Sequence, residues 1–257
     1  MAVENHFSAK TAYWSDVDET ACAVMGARFP DAEPIGDLTT LDLTMLHADI
    51  ITAGYPCQPF SLAGARKGTN DERHLWPYIR NTVSVLRPRF VVLENVAGHL
   101  SLGAATVVGD LAALGYDAQW AVIRASDVGA VHQRKRWFCV ATNTDYVSAG
   151  GISTTPPGAE TQRGNAGQLN NGFEDATRGR GFWRHYWPAI DGWERIVGRP
   201  APDPITDGKL SAAFVEWMMG LESGHVTDIA SSRPKALACL GNGVVPQQAA
   251  LALELLT

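Results

Sequence analysis

Positive charge is scarce in the first quarter of this chain. Residues 1–59 carry Glu4, Asp16, Asp18, Glu19, Asp31, Glu33, Asp37, Asp42 and Asp49 against Lys10 and Arg28 alone. That excludes a basic nucleic-acid arm there and suits a cationic small ligand instead. Cysteine is also sparse: Cys22, Cys57, Cys139 and Cys239 form no C-x-x-C pair and do not cluster with histidine. The spacing fits neither a zinc site nor a disulfide framework, and it predicts a reducing, cytoplasmic setting without a metal. No apolar run approaches bilayer-spanning length, so no membrane partner is expected, and MAVENHFSAKTAYW lacks the basic-then-apolar layout of a signal peptide.

What the chain does have is an alternation of short apolar runs with helical spacing. With 257 residues and a net charge of −6, it is large enough to bury a sizeable core. Strands are predicted over Thr11–Asp16, Ile50–Thr52, Phe90–Leu93, Ala118–Arg124 and Arg136–Ala141. Helices are predicted over Glu19–Phe29, His74–Leu86, Ala104–Leu114, Ser211–Met219 and Gln247–Leu256. This order implies an α/β fold with a doubly wound, mostly parallel sheet. From Ser148 to Arg180 Gly, Asn, Thr and Pro dominate, which predicts a loop or partial disorder. Phe182–Ile196 then mixes Trp183, Tyr186, Trp187 and Trp193 with Arg184, His185 and Arg195, a composition serving DNA contact or a small core equally well.

Chemistry is concentrated around the second predicted strand, in ADIITAGYPCQPFS at 48–61. Pro56 and Pro59 stiffen the loop around Cys57, and a stiff loop at a strand's carboxyl end is where open α/β sheets place reactive groups. Glu94 ends the predicted strand Phe90–Leu93, where partial burial would raise its pKa and let it donate a proton. Arg134 and Arg136 precede and begin another strand; strand alternation would point both to the same side, positive charge suited to phosphate or to a thiolate. The charge balance reverses from residue 60 to 136, where Arg66 and Lys67 join these arginines.

GYPCQPFS at 54–61, LENVAG at 93–98, HQRKRW at 132–137 and LGNGVVP at 240–246 together resemble the DNA cytosine C5-methyltransferase family, in its motif order. The resemblance implies that Cys57 attacks C6 of a cytosine flipped out of double-stranded DNA, and that Glu94 holds or protonates N3. It implies that Asn95 orders that loop, Arg134 contacts the base carbonyl and Arg136 supports Cys57. S-adenosylmethionine would be held by Asp16 and Val17 at its ribose and adenine, Asp37 and Leu38 near the adenine amino group, Pro56, Asn242 and Gly243. Gln58, Ser61, Arg66, Lys67, Trp183, Arg184 and Arg195 would contact DNA, with Trp187 and Trp193 serving as core. The implied division is a catalytic domain over 1–146, a target-recognition region over 147–210, and a segment 211–257 returning to the catalytic domain.

One family feature is missing. The glycine-rich FxGxGG turn and its strand are not in the sequence, and AVENHFSAK matches the helix that follows them. A sheet without that strand is expected to expose two edges and an apolar groove. Weak cofactor binding follows as an expectation. Three readings stay open: an internal methionine of a longer protein, a complementing N-terminal polypeptide of a split methyltransferase, or a catalytically silent DNA-binding remnant. An unrelated cysteine hydrolase using His74, His99 or His132 lacks an accompanying Asn or Asp arrangement.

Overall fold

The computed structural model describes residues 1–56, 75–148 and 183–257. After helix α1 (Ala2–Phe7), a two-residue strand β1 (Tyr13–Trp14) leads to α2 (Glu19–Arg28) and β2 (Glu33–Pro34). α2 starts where the sequence dictates: the Asp18 side chain accepts from Ala21 N at 2.9 Å, Glu19 lies in the first turn and Arg28 in the last, each complementing the helix dipole. β3 (Ile50–Gly54), α3 (Trp76–Leu86) and β4 (Phe90–Val96) follow. α3 opens with Pro77 and stops at a left-handed Arg87 ahead of Pro88. Then come α4 (His99–Leu102), α5 (Ala104–Ala113), β5 (Tyr116–Ile123), β6 (Arg136–Asn143), α6 (Thr144–Ser148), α7 (Trp187–Val197), the hairpin β7 (Ile205–Thr206) and β8 (Lys209–Leu210), α8 (Ala212–Met218), α9 (Arg233–Asn242) and α10 (Pro246–Leu256).

The main sheet has the order β3-β4-β6-β5. β3 runs parallel to β4, while β6 is antiparallel to both β4 and β5. Three strands therefore share a direction and β6 alone is reversed. Helices cover both faces, as a doubly wound sheet requires. On one face Val91, Leu93, Trp137, Cys139 and Ala141 pack with Trp76, Ile79, Val83, Val107 and Leu111 of α3 and α5. On the other, Phe90, Val92, Phe138 and Val140 pack with Ala252, Leu253 and Leu256 of α10 and with Phe7 of α1. Successive residues of β4 and β6 thus alternate between the two cores.

β1 and β2 form a separate parallel pair, not hydrogen-bonded to the main sheet among the described residues. The strand predicted over Thr11–Asp16 is shorter than expected, since only Tyr13 and Trp14 pair, and Asp16 lies in the loop beyond. β3 alternates partial burial with exposed Thr52 and Gly54, whereas β4 buries alternate residues fully. That difference is what an unpaired edge produces beside an interior strand.

A third core joins α7 to the C-terminal part. Ile190 and Trp193 of α7 pack with Ala125, Ala130, Phe214, Trp217, Met219 and Val245. Trp193 is fully buried and its indole donates to the Trp217 carbonyl at 3.0 Å, and Trp187 packs against the same cluster. Nearby, buried Glu216 accepts from Gly224 N, Val226 N, Thr227 N and the Thr227 hydroxyl at 2.6–3.0 Å, stapling the turn that leads to α9.

Candidate active site

The register of β3, β4 and β6 builds the site. Glu94 lies within β4 rather than at its end, opposite Phe138 of β6 and Gly54 of β3. Arg136 is two residues from Phe138, so it meets Glu94 diagonally on the same sheet face. Arg136 Nε lies 2.8 Å from Glu94 Oε1, and both side chains are largely buried, at 16% and 14% exposed. Gly54 leaves the other flank open, for a Cβ there would sit 3.4 Å from Glu94 Oε2. Burial raises the Glu94 carboxyl above its ordinary value, and Arg136 and Arg134 pull against that rise. Among the described residues Arg134 Nε is buried without a hydrogen-bond partner, and Glu94 Oε1 meets only Arg136. A ligand with both donor and acceptor edges would satisfy such atoms.

Arg134 departs from the expected strand alternation. Its φ is 25°, a left-handed conformation, and its Nη2 donates to the carbonyls of Gly241 at 2.8 Å and Gly243 at 2.5 Å. Burial and neighbouring Arg136 lower its guanidinium to about 10. The two arginines therefore do not project in parallel. Arg136 is the one paired with Glu94, while Arg134 grips the end of α9.

Asn95 points to the opposite face, as alternation demands. Its side-chain amide donates to the Tyr55 carbonyl at 3.0 Å, and its oxygen accepts from Val96 N. Tyr55 packs against Trp76, and its hydroxyl meets His99 Nε2 at 2.9 Å. The His99 ring stands edge-on to Trp137 at 5.1 Å between centroids. Burial lowers His99 to about 4, so it is neutral near pH 7. Tyr55 is thereby held at backbone and side chain just before Pro56 and Cys57. The sequence reading passed over this clamp. Its signal was a tyrosine inside the first motif and a histidine directly after the second.

Cys57, Gln58, Ser61, Arg66 and Lys67 lie outside the described residues. The described cysteines are poor nucleophiles: burial pushes fully buried Cys139 up to about 12 and raises Cys22 and Cys239. Of the candidate histidines, His99 bonds to Tyr55 and His132 Nε2 to the Met218 carbonyl at 2.9 Å, while His74 lies outside the described residues.

The predicted cofactor residues fit half of S-adenosylmethionine. Asp16 and Asp37 sit in loops after β1 and β2, each with one oxygen accepting a nearby backbone N–H at 2.8 Å. Those bonds leave lone pairs for ribose hydroxyls or an amino group. Hydrogen bonding from Thr39 also lowers the Asp37 carboxyl. Val17 is 74% exposed beside Asp16, an uncovered apolar surface suited to a purine ring. Leu38 packs on the main core, and Pro56 ends the described part of the cysteine loop. Asn242 closes α9, and Gly243 has φ −67°, with 3.6 Å to the nearest backbone atoms around a built Cβ. A serine would therefore fit at 243. For the methionine half, no glycine turn occurs among the described residues.

The recognition-region candidates separate. Trp183 is half-buried, stacks on Phe214 at 5.6 Å and packs against the third core. Arg195 pairs with Asp191 one helical turn away. Arg184 is exposed with φ 47°.

Comparison with known proteins agrees with this geometry. The sequence profile of the family described as C-5 cytosine-specific DNA methylase matches residues 3–180. Type II methyltransferase M.CviJI of Paramecium bursaria Chlorella virus IL3A is 36% identical over 136 residues, covering 51% of this chain and 37% of that protein. Type II methyltransferase M.NlaIV of Neisseria lactamica is 32% identical over 144 residues, covering 51% of this chain and 34% of its own. The matches thus span little more than a third of those relatives. The crystal structure of S. pombe Dnmt2 methyltransferase shares the fold with a TM-score of 0.60 at 15% identity, covering 99% of this chain and 93% of that one. With a profile match over most of its length and the Glu94–Arg136 site at the matching motifs, this chain belongs to the C-5 cytosine-specific DNA methylase family.

Proposed function

We propose that this chain activates a cytosine in double-stranded DNA for methylation at C5, as part of a restriction–modification type methyltransferase. The observation that carries the reading is buried Glu94, its carboxyl raised by desolvation and paired with Arg136 at 2.8 Å. A half-open edge of that polarity suits the N3, O2 and amino edge of cytosine. The Cys57 sulfur bonds to C6, the C5–C6 π pair moves to C4–C5, and the displaced C4–N3 pair takes the proton of Glu94. C5 becomes nucleophilic. S-adenosylmethionine, when bound, supplies the methyl group. Loss of the C5 hydrogen as a proton expels the Cys57 sulfur as thiolate, and N3 returns its proton to Glu94, restoring the ring and both residues. A thiol suits both attack and departure.

The side chains divide the remaining work. Arg136, paired with Glu94, is the better-placed partner for the base carbonyl, and Arg134 supports the loop; these roles are exchanged relative to the sequence expectation. Asn95 and Tyr55 hold the backbone leading to Cys57. Residues 1–146 and 211–257 form the catalytic body and 147–210 the recognition region, with Arg184, Arg66, Lys67, Gln58 and Ser61 facing DNA. In the trapping experiment, DNA carrying 5-fluorocytosine with S-adenosylmethionine is expected to yield a covalent adduct at Cys57, because fluorine cannot leave as a cation. An adduct at another residue would overturn the assignment.

The unpaired β1–β2 ladder favours a companion reading, in which a strand supplied by a longer chain or a separate polypeptide joins β1 to β3. Residues 1–257 alone then bind S-adenosylmethionine weakly. Titration calorimetry giving micromolar affinity would contradict that.

A further inference from the structure

The HQRKRW turn is anchored from outside the sheet. His132 Nε2 donates to the Met218 carbonyl at 2.9 Å, the Gln133 carbonyl accepts from Ala125 N at 2.8 Å, and Arg134 Nη2 reaches Gly241 and Gly243. The remaining anchor is the Arg134 carbonyl itself. It accepts from Gln248 Nε2 at 2.8 Å, and the same nitrogen donates to the Ile123 carbonyl at 2.8 Å. Gln248 lies in the first turn of α10, fully buried. Its Oε1 is buried without a partner, a cost that an apolar residue at this core position would avoid. Both neighbours of the nitrogen are carbonyls, so the amide orientation is fixed by chemistry.

The position of the bond gives it a role. Ile123 pairs with Arg136 across β5 and β6, so one amide ties the end of β5 to the residue preceding β6 by two. Arg134 sits there in a left-handed conformation that an arginine backbone does not favour. Released, the turn would relax toward an extended path, and Arg134 and Arg136 would shift against Glu94. We infer that Gln248 is a positioning residue of the cytosine pocket, whose amide holds the Arg134 turn and so sets the arginines against Glu94. The geometry stands alone; its consequence for turnover rests on the proposed function.

Gln247 provides a matched control. Its amide nitrogen donates to the Gly220 carbonyl at 3.0 Å and its Oε1 is likewise buried and unpartnered, but it makes no bond to the arginine turn. Gln248→Met and Gln247→Met keep side-chain length while removing the donor. Release of tritium from random-sequence duplex DNA containing [5-³H]cytosine is measured for each full-length chain, per folded molecule. Gln248→Met is expected to release tritium at least tenfold more slowly with half-saturating DNA changed less than twofold; Gln247→Met stays within twofold on both. In parallel, the Arg134 Nε–H resonance, assigned by its loss in Arg134→Lys, is expected to shift and exchange faster in Gln248→Met alone. Wild-type rates in Gln248→Met, or equal losses in both variants, would overturn the inference. Should the wild type release no tritium, the functional reading fails, and an unchanged Arg134 resonance in Gln248→Met independently sinks the positioning role.

Discussion

Glu94 and Arg136 sit on one sheet face as a diagonal pair across β4 and β6, with Nε and Oε1 2.8 Å apart. The two charges are largely buried together. Burial raises the carboxyl and the arginines oppose that rise, so Glu94 stays more inclined to hold a proton than an exposed carboxyl.

That arrangement sets a pH dependence. The Glu94 carboxyl is raised by burial, so its protonated form persists above the ordinary range and disappears as pH rises further. Cysteine ionisation favours the opposite direction. Adduct formation should therefore follow a bell-shaped curve whose alkaline limb belongs to Glu94. In Glu94→Gln, rapid-quench trapping on 5-fluorocytosine DNA should show a rate lower by roughly 10²–10⁴, with that alkaline limb gone. An unchanged limb would assign it to another group.

His99 makes stability acid-sensitive. Its pKa falls from 6.5 to about 4 on folding, so the unfolded chain binds a proton that the folded chain refuses. The contribution is present above pH 6.5 and is lost as pH falls toward 4. Between pH 7 and pH 5 the linkage amounts to about 2 kcal/mol. Urea unfolding should show that loss in the wild type and a flatter profile in His99→Gln. Equal slopes would place the acid sensitivity elsewhere.

Tyr55→Phe tests the other end of the same contact. Removing the hydroxyl that meets His99 Nε2 at 2.9 Å should cost about 1 kcal/mol in chemical denaturation. The rate of trapping should fall while DNA affinity holds, because Tyr55 anchors the chain entering Pro56 and Cys57. Weaker DNA binding with unaltered trapping would argue against that clamp.

Much of this was legible in the sequence, for definite reasons. β4 and β6 are largely apolar runs, as strands covered on both faces must be, and Pro88 ends the helix predicted before β4. Trp187 and Trp193 were expected in the core and lie there. Illegible features depend on long-range contacts. Nothing local reveals that Arg134 turns left-handed and grips Gly241 and Gly243, since those partners are more than a hundred residues away. Alternation alone therefore misassigned its direction. Aromatic-basic composition is shared by interfaces and small cores, so composition alone does not show that Trp183 stacks on Phe214. Gln248 was hidden as one of three polar residues, with Gln247 and Glu254, in a mostly apolar helix.

The central claim is that Cys57, Glu94 and the arginine turn activate cytosine at C5. Activation can be read without the methyl donor, because addition at C6 makes C5 basic enough to exchange its hydrogen with water. The measurement is tritium release from [5-³H]cytosine duplex DNA by the full chain, with no S-adenosylmethionine added. The account expects release by the wild type and none by Cys57→Ala. A silent wild type, or equal release by Cys57→Ala, would contradict it.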